Sequence, residues 1–165
     1  MKRVIVLLAA FTAACESLTE TAQRQPLGAE LAGSTVKPAA VATTGQGSFS
    51  ATLHALAGDA TMDYALTFSG LVGEATAVHL HGPANADNVG DLLVDFAALP
   101  AGSTGTITLD GVSGEAKGTL DLRMAITSAV SGESLHRLLD AGLVYVDVHT
   151  DSATAGEIRG QIRKR

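Results

Sequence analysis

The sequence is poor in aromatic residues, in cysteine and in charge. It has no tryptophan, two tyrosines and four phenylalanines, so aliphatic side chains and alanine must fill the core. The single cysteine, Cys15, excludes an intrachain disulfide. Only 17% of the 165 residues are charged, and 17 acidic residues against 11 lysines and arginines give a formal charge of −6. Because binding to phosphates needs a basic surface, no nucleic-acid partner is expected.

The N-terminus has the pattern of an export signal. Lys2 and Arg3 precede a short apolar run over residues 4–11, and small residues follow as far as Cys15. The run is too short to cross a bilayer, which takes about 20 apolar residues. Cys15 follows two alanines and resembles the cysteine of a bacterial lipobox, which is lipidated and becomes the first residue of the mature protein. The alternative is an ordinary secretory signal with an unrelated cysteine near the cut.

These features predict three parts of the chain. Residues 1–14 are the lipoprotein signal peptide, residues 15–26 are the lipidated Cys15 and a polar tether, and residues 27–165 are one domain. The mature protein is then exported and held by its lipids on a bacterial membrane, at the periplasmic or extracellular face of the cell envelope.

After the tether, short runs of alternating apolar and polar residues are separated by glycine, serine and threonine. This spacing predicts an all-β, antiparallel β-sandwich of about eight or nine strands. The predicted strands cover residues 27–31 (a first edge strand), 48–56, 64–68, 75–81, 91–96, 104–109, 118–124, 143–148 and 157–162. One short helix is predicted at about 131–141, with Ser131 as its N-cap, a leucine stripe, and Gly142 after its end.

Two of the predicted strands carry histidines at alternate positions. His79 and His81 are two residues apart and therefore point to the same side of their strand. On the later strand Asp147 and His149 share one side, and three valines alternate with them. If the valines face the core and the two strands are neighbours, three imidazoles and one carboxylate meet on the other side.

This cluster allows two interpretations. Neutral imidazole is a good ligand for copper or zinc, so His79, His81 and His149 are candidate metal ligands, with Asp147 as a ligand or as a partner that orients an imidazole. Alternatively, the histidines form a hydrogen-bonded network that fixes the neighbouring turns. No cofactor is assured, and Cu or Zn is the candidate ion.

The segment that follows His149 reads as a wide turn leading into the final strand. Glu157 and Arg159 are two residues apart and share a face of that strand. They are expected to pair with cross-strand neighbours or with Asp147. The simpler interpretation is a surface ion pair that contributes less than about 1 kcal/mol.

Three motifs in this order resemble the CHRD domain, a module named after chordin that also occurs singly in bacterial secreted proteins. They are His-Leu-His-Gly-Pro-Ala at 79–84, Tyr-Val-Asp-Val-His-Thr at 145–150, and Gly-Glu-Ile-Arg-Gly-Gln at 156–161. The resemblance implies an immunoglobulin-like or Cu,Zn-superoxide-dismutase-like sandwich and no established enzyme activity. The motif positions carried over as structural are Gly82, Pro83, Thr150, Gly156, Glu157, Arg159 and Gly160.

Enzyme activity is not expected. The sequence lacks G-x-S-x-G, P-loop, H-E-x-x-H and C-x-x-C motifs. A dismutase-type centre needs more histidines than the three in the cluster, unless His54 joins them. The sequence thus predicts a non-catalytic binding or envelope-structural module with an unidentified protein or envelope partner. The alternative is a copper- or zinc-binding protein.

Overall fold

A computed structural model describes residues 23–56 and 59–165. The predicted signal peptide, Cys15 and the first part of the tether lie outside the described residues. The described chain is an antiparallel all-β structure with one short α-helix, which confirms the predicted fold class. Its strands are β1 (Gln23–Ala32), β2 (Gln46–Leu56), β3 (Asp59–Ser69), β4 (Ala75–Gly82), β5 (Asp91–Asp95), β6 (Thr104–Asp110), β7 (Ser113–Asp121), β8 (Tyr145–Thr150), β9 (Ile158–Gln161) and β10 (Arg163–Lys164), and its helix is α1 (Gly132–Asp140).

The strands form one curled sheet in the order β5-β4-β8-β9-β1-β2-β3-β7-β6, with β10 also paired to β1. Alternate residues of these strands point inward and form a single apolar core. Its largest fully buried side chains are Phe49, Leu27, Leu31, Leu53, Met62, Leu66, Leu80, Leu120, Leu135, Leu139, Ile158 and Ile162. Leucine, isoleucine and valine therefore fill most of the space that a more aromatic protein would fill with rings.

Strand β1 differs from its prediction in length and in place. It begins at Gln23, so residues 23–26 belong to the sheet and not to a tether. It is also not an edge strand, because it pairs with β2 on one side and with β9 and β10 on the other. The polar residues at its start join the sheet through backbone pairing, which leaves no apolar signature in the sequence.

The helix confirms its prediction closely. Ser131 accepts a hydrogen bond from the Ser134 backbone N–H at 3.1 Å, which satisfies a free donor of the first turn. Leu135 and Leu139 are fully buried and attach the helix to the core. Gly142, just beyond the end, has φ +67°, the left-handed conformation that ends many helices. In the part of the chain that the structure describes, no helix is long and apolar enough to span a bilayer.

Candidate metal centre

Strands β4 and β8 are hydrogen-bonded neighbours, as the interpretation of the histidines required. In their antiparallel register His79 lies opposite Asp147, and His81 lies opposite Tyr145. The alternating residues Val78, Leu80, Val146 and Val148 are completely buried in the core. The histidine-bearing side of the two strands is therefore the side away from the apolar core.

The candidate ligand atoms converge. One atom each from His79, His81, Asp147 and His149 lies within 4.8 Å of all the others. Nδ1 of His79 is 3.0 Å from Nε2 of His149, and that Nε2 is 3.1 Å from Oδ1 of Asp147. Nε2 of His81 is 3.6 Å from the same carboxylate oxygen. All four side chains are mostly buried, with exposed fractions between 5% and 19%.

Backbone carbonyls fix the protonation of two of these rings. Nδ1 of His81 lies 3.1 Å from the carbonyl oxygen of Gly90, and Nδ1 of His149 lies 2.9 Å from that of Thr154. A carbonyl only accepts, so both Nδ1 atoms must carry the proton. In the neutral rings the Nε2 atoms then hold lone pairs, and both are directed toward Asp147.

The centre of the cluster consequently holds more acceptors than donors. Nε2 of His81, Nε2 of His149 and Oδ1 of Asp147 all face inward. Nδ1 of His79, 3.0 Å from Nε2 of His149, donates to it in the Nδ1–H tautomer and holds a lone pair toward the same centre in the Nε2–H tautomer. Nε2 of His81 is buried without a hydrogen-bond partner among residues 23–56 and 59–165. An orphaned buried acceptor beside a carboxylate is unfavourable unless a hydrogen-bond donor or a cation lies between them.

The electrostatics distinguish His79 from His149. Burial and the neighbouring His149 lower the pKa of His79, which keeps that ring neutral and able to ligate. Burial acts to lower the pKa of His149 as well, but its hydrogen bond to Asp147 and the carboxylate charge outweigh burial and raise that pKa. In the absence of a metal, a proton on His149 balances the negative charge of the Asp147 carboxylate.

His54 does not join the cluster. It lies on β2, and its Nε2 is 2.8 Å from Asp63 on β3. The centre within the described residues therefore comprises three histidines and one carboxylate.

The motif residues around the centre shape the two loops that border it. Gly82 ends β4 and Pro83 opens the loop that leads to Gly90. Gly156 has φ +110° and lies against Asp147, where a Cβ would be 3.3 Å from Oδ2. Gly160 lies within β9. A side chain at position 156 would thus be strained and would press on the carboxylate of the cluster.

The prediction of a surface ion pair between Glu157 and Arg159 is wrong for Glu157. This residue is 1% exposed, and its carboxylate accepts four hydrogen bonds. The donors are the backbone N–H groups of Val72 (2.7 Å) and Gly73 (3.1 Å) and the hydroxyls of Thr43 (2.5 Å) and Thr150 (2.9 Å). Glu157 ties three separate segments together, a role that two-residue spacing along one strand cannot reveal.

The same prediction is wrong for Arg159, which is 3% exposed. Its guanidinium lies 3.6 Å from the ring centroid of Tyr145 and donates to the carbonyl of Asn85 (3.0 Å) and to the side chain of Gln161 (3.2 Å). Although Arg159 is directly opposite Asp147 in the β8–β9 register, it stacks on the tyrosine instead of bonding to the carboxylate.

Sequence reasoning missed three contributors to the site. Tyr145 lies two residues before Asp147 and therefore on the same face of β8, but nothing in the sequence indicates its stacking on His81, with ring centroids 5.2 Å apart and planes within 8° of each other. The carbonyls of Gly90 and Thr154 have no sequence signal at all, because every residue has a carbonyl.

The comparisons with known proteins give one match. Neither a curated protein nor a solved structure is significantly similar to this chain. The CHRD domain family matches residues 27–162, which include both histidine strands and β9. The resemblance drawn from the three motifs is confirmed, and the chain belongs to the CHRD domain family.

Proposed function

We propose that this CHRD domain is a non-catalytic module that binds one transition-metal ion, Zn²⁺ or Cu²⁺. The ligands are Nδ1 of His79, Nε2 of His81, Nε2 of His149 and Oδ1 of Asp147. One observation carries the proposal: two backbone carbonyls hold His81 and His149 in the tautomer that directs their lone pairs at a buried carboxylate.

The spacing of the donor atoms supports a four-coordinate ion. Zinc ligands at 2.0–2.1 Å in a tetrahedron are separated from one another by about 3.3 Å. Three of the separations around Asp147 and His149, namely 3.0, 3.1 and 3.6 Å, bracket that value. The remaining pairs lie within 4.8 Å of each other, so closing the site around one ion would need side-chain movements of up to about 1.5 Å.

The surroundings of the rings also support a metal. Ligating histidines ordinarily donate their other ring N–H to a carbonyl or carboxylate, which orients the ring and raises its basicity. His81 and His149 do so to Gly90 and Thr154, and Nε2 of His79 is 3.9 Å from Oδ1 of Asp95. Each of the three imidazoles therefore has an outer acceptor close to the nitrogen that faces away from the ion.

A second candidate function is a purely architectural histidine network. The contacts from His149 to His79 and to Asp147 favour it, since a proton on His149 would satisfy the carboxylate. The architectural network leaves the buried Nε2 of His81 without a partner among the described residues, whereas a metal ion would satisfy that atom and the Asp147 carboxylate together.

Metal analysis separates the two candidates. The full-length protein, equilibrated with Zn²⁺ or Cu²⁺ at micromolar free concentration and gel-filtered, should retain one ion per chain. His81→Ala and His149→Ala should each lose it. His136→Ala, on the helix outside the cluster, is the matched control and should retain it. An unmodified protein that retains neither ion, or variants that retain as much as the control, would contradict the proposal.

We further propose that the module is exported and anchored to the cell envelope through lipids on Cys15. The support is the pattern of residues 1–15 alone. Cys15→Ser should move the protein from the membrane fraction to the soluble fraction, because the acyl chains supply the attachment. Retention of the variant in the membrane fraction would refute lipidation as the anchor.

A further inference from the structure

The phenol of Tyr145 links the ligand His81 to the loop that orients it. Its ring stacks on the His81 imidazole, and its hydroxyl accepts a hydrogen bond from the backbone N–H of Gly90 at 3.4 Å. The carbonyl of the same Gly90 accepts from Nδ1 of His81. One side chain thus contacts both the ring and the residue that fixes the ring's tautomer.

The loop that carries Gly90 is fastened at its other end by β9. Gln161 donates to the carbonyl of Ala84 at 2.8 Å, and Arg159 donates to the carbonyl of Asn85. Gly90 itself passes so close to β4 that a Cβ there would lie 2.7 Å from the Cα of Gly82. The loop therefore has little freedom to carry its carbonyl away from His81.

Arg159 holds the tyrosine from the opposite side. Strand β8 lies between β4, which carries His81, and β9, which carries Arg159. The Tyr145 ring is accordingly flanked by an imidazole on one side and a guanidinium at 3.6 Å on the other. A cation over the face of a tyrosine is attractive, and it is more so when both groups are desolvated, as they are here.

From these contacts we infer that Tyr145, braced by Arg159, is a positioning residue for the metal site. It holds His81 and the Gly90 carbonyl in the arrangement that leaves the His81 lone pair facing the ion. This inference rests on the proposed metal binding and extends it to a residue that does not touch the ion.

The test uses Tyr145→Phe, which keeps the ring and its stacking and removes only the oxygen that bonds Gly90. The matched control is Tyr64→Phe. Tyr64 is the only other tyrosine in the sequence, is comparably buried, and packs against Phe96 in the core. Each full-length protein is titrated with Co²⁺, whose visible absorption reports ligand geometry, and with Zn²⁺ in competition.

Tyr145→Phe should weaken Co²⁺ and Zn²⁺ binding by about tenfold, the lower end of the effect of removing an outer partner of a ligand. It should also change the Co²⁺ spectrum. Tyr64→Phe should leave affinity and spectrum as in the unmodified protein. Thermal unfolding of the metal-free proteins shows whether either change is due to loss of the fold.

The outcomes separate this inference from the proposed function. An unmodified protein that binds Co²⁺ and Zn²⁺, with Tyr145→Phe identical to it in affinity and spectrum, would overturn the role of Tyr145 and leave metal binding standing. An unmodified protein that binds neither ion would overturn both.

Discussion

Two buried carboxylates lie close together in this fold, and their surroundings are opposite. Glu157 accepts four hydrogen bonds, two from backbone N–H groups and two from threonine hydroxyls. Asp147, 4% exposed, faces the Nε2 atoms of His81 and His149, whose Nδ1 protons are committed to carbonyls. The protein supplies every donor that Glu157 accepts from, whereas in the Asp147 cluster the only positive charge is a proton on His149, and the buried Nε2 of His81 has no donor among the described residues.

The hydrogen-bond surroundings of a buried carboxylate distinguish a structural polar cluster from a candidate binding site. A buried charge is tolerated when donors surround it and is costly when acceptors do. Glu157 therefore has the surroundings of a residue that holds loops together. Asp147 has the surroundings of a residue that could hold a cation. Both are buried carboxylates, each in one of the family motifs, so burial alone would not distinguish them.

The largest expected effect is that of metal on stability. At a free Zn²⁺ concentration about 1,000 times Kd, binding to the folded state alone should raise the free energy of unfolding by about 4 kcal/mol. Denaturant unfolding with Zn²⁺ and with a chelator measures this difference. Asp147→Ala should abolish the increment. An increment that persists in Asp147→Ala would contradict the contrast drawn between Asp147 and Glu157, because the metal would then bind at another site.

A somewhat smaller effect is expected from Glu157→Ala. Removing this carboxylate leaves the part-buried N–H of Val72 and the buried N–H of Gly73 without their acceptor, so the free energy of unfolding should fall by about 3 kcal/mol. Equilibrium unfolding in the presence of a chelator measures the loss. The number of Zn²⁺ ions bound per folded chain should stay the same, and a loss of metal binding would mean that the two clusters are not independent.

The smallest expected effect is the pH dependence that Glu157 contributes. Burial acts to raise the pKa of Glu157, but hydrogen bonds from Thr43, Val72, Gly73 and Thr150 outweigh it and hold the pKa below its usual value. A carboxylate with a lowered folded-state pKa stabilises the protein above its unfolded-state pKa and loses that contribution as pH falls through the folded-state pKa.

The measurement compares the metal-free protein with Glu157→Gln from about pH 6 to about pH 3, a range that spans the titration of an ordinary glutamate. The difference in unfolding free energy between the two should shrink as the pH falls. Other carboxylates titrate in both proteins and cancel in the difference. A difference that stays constant over this range would mean that charge on Glu157 contributes nothing.

Much of the fold was predictable because period-two alternation is a local signal. The positions of β4 and β8 and the common side of His79, His81, Asp147 and His149 all followed from that period and from the buried valines between them. Helix α1 was predictable for a similar reason, since its cap and its leucine stripe are adjacent in sequence.

The remainder was not predictable because it depends on contacts between distant segments. Glu157 is buried by residues 85 and 114 positions away in the chain, and no spacing rule connects them. The stacking of Arg159 on Tyr145 needs the register of β8 against β9, which alternation leaves open. The internal place of β1 depends on β9 and β10 in the same way.

The internal position of β1 in the sheet has a consequence for how the chain folds. Its pairing of Leu27 with Lys164 joins segments more than 130 residues apart, and β1 is the only connection along the sheet path between β9 and β2 in the described chain. Closing so long a loop carries a large entropic penalty and slows folding. The two halves of the sheet cannot pair through β1 until residues 158–164 are in place, so the sheet closes only when both ends of the domain have come together.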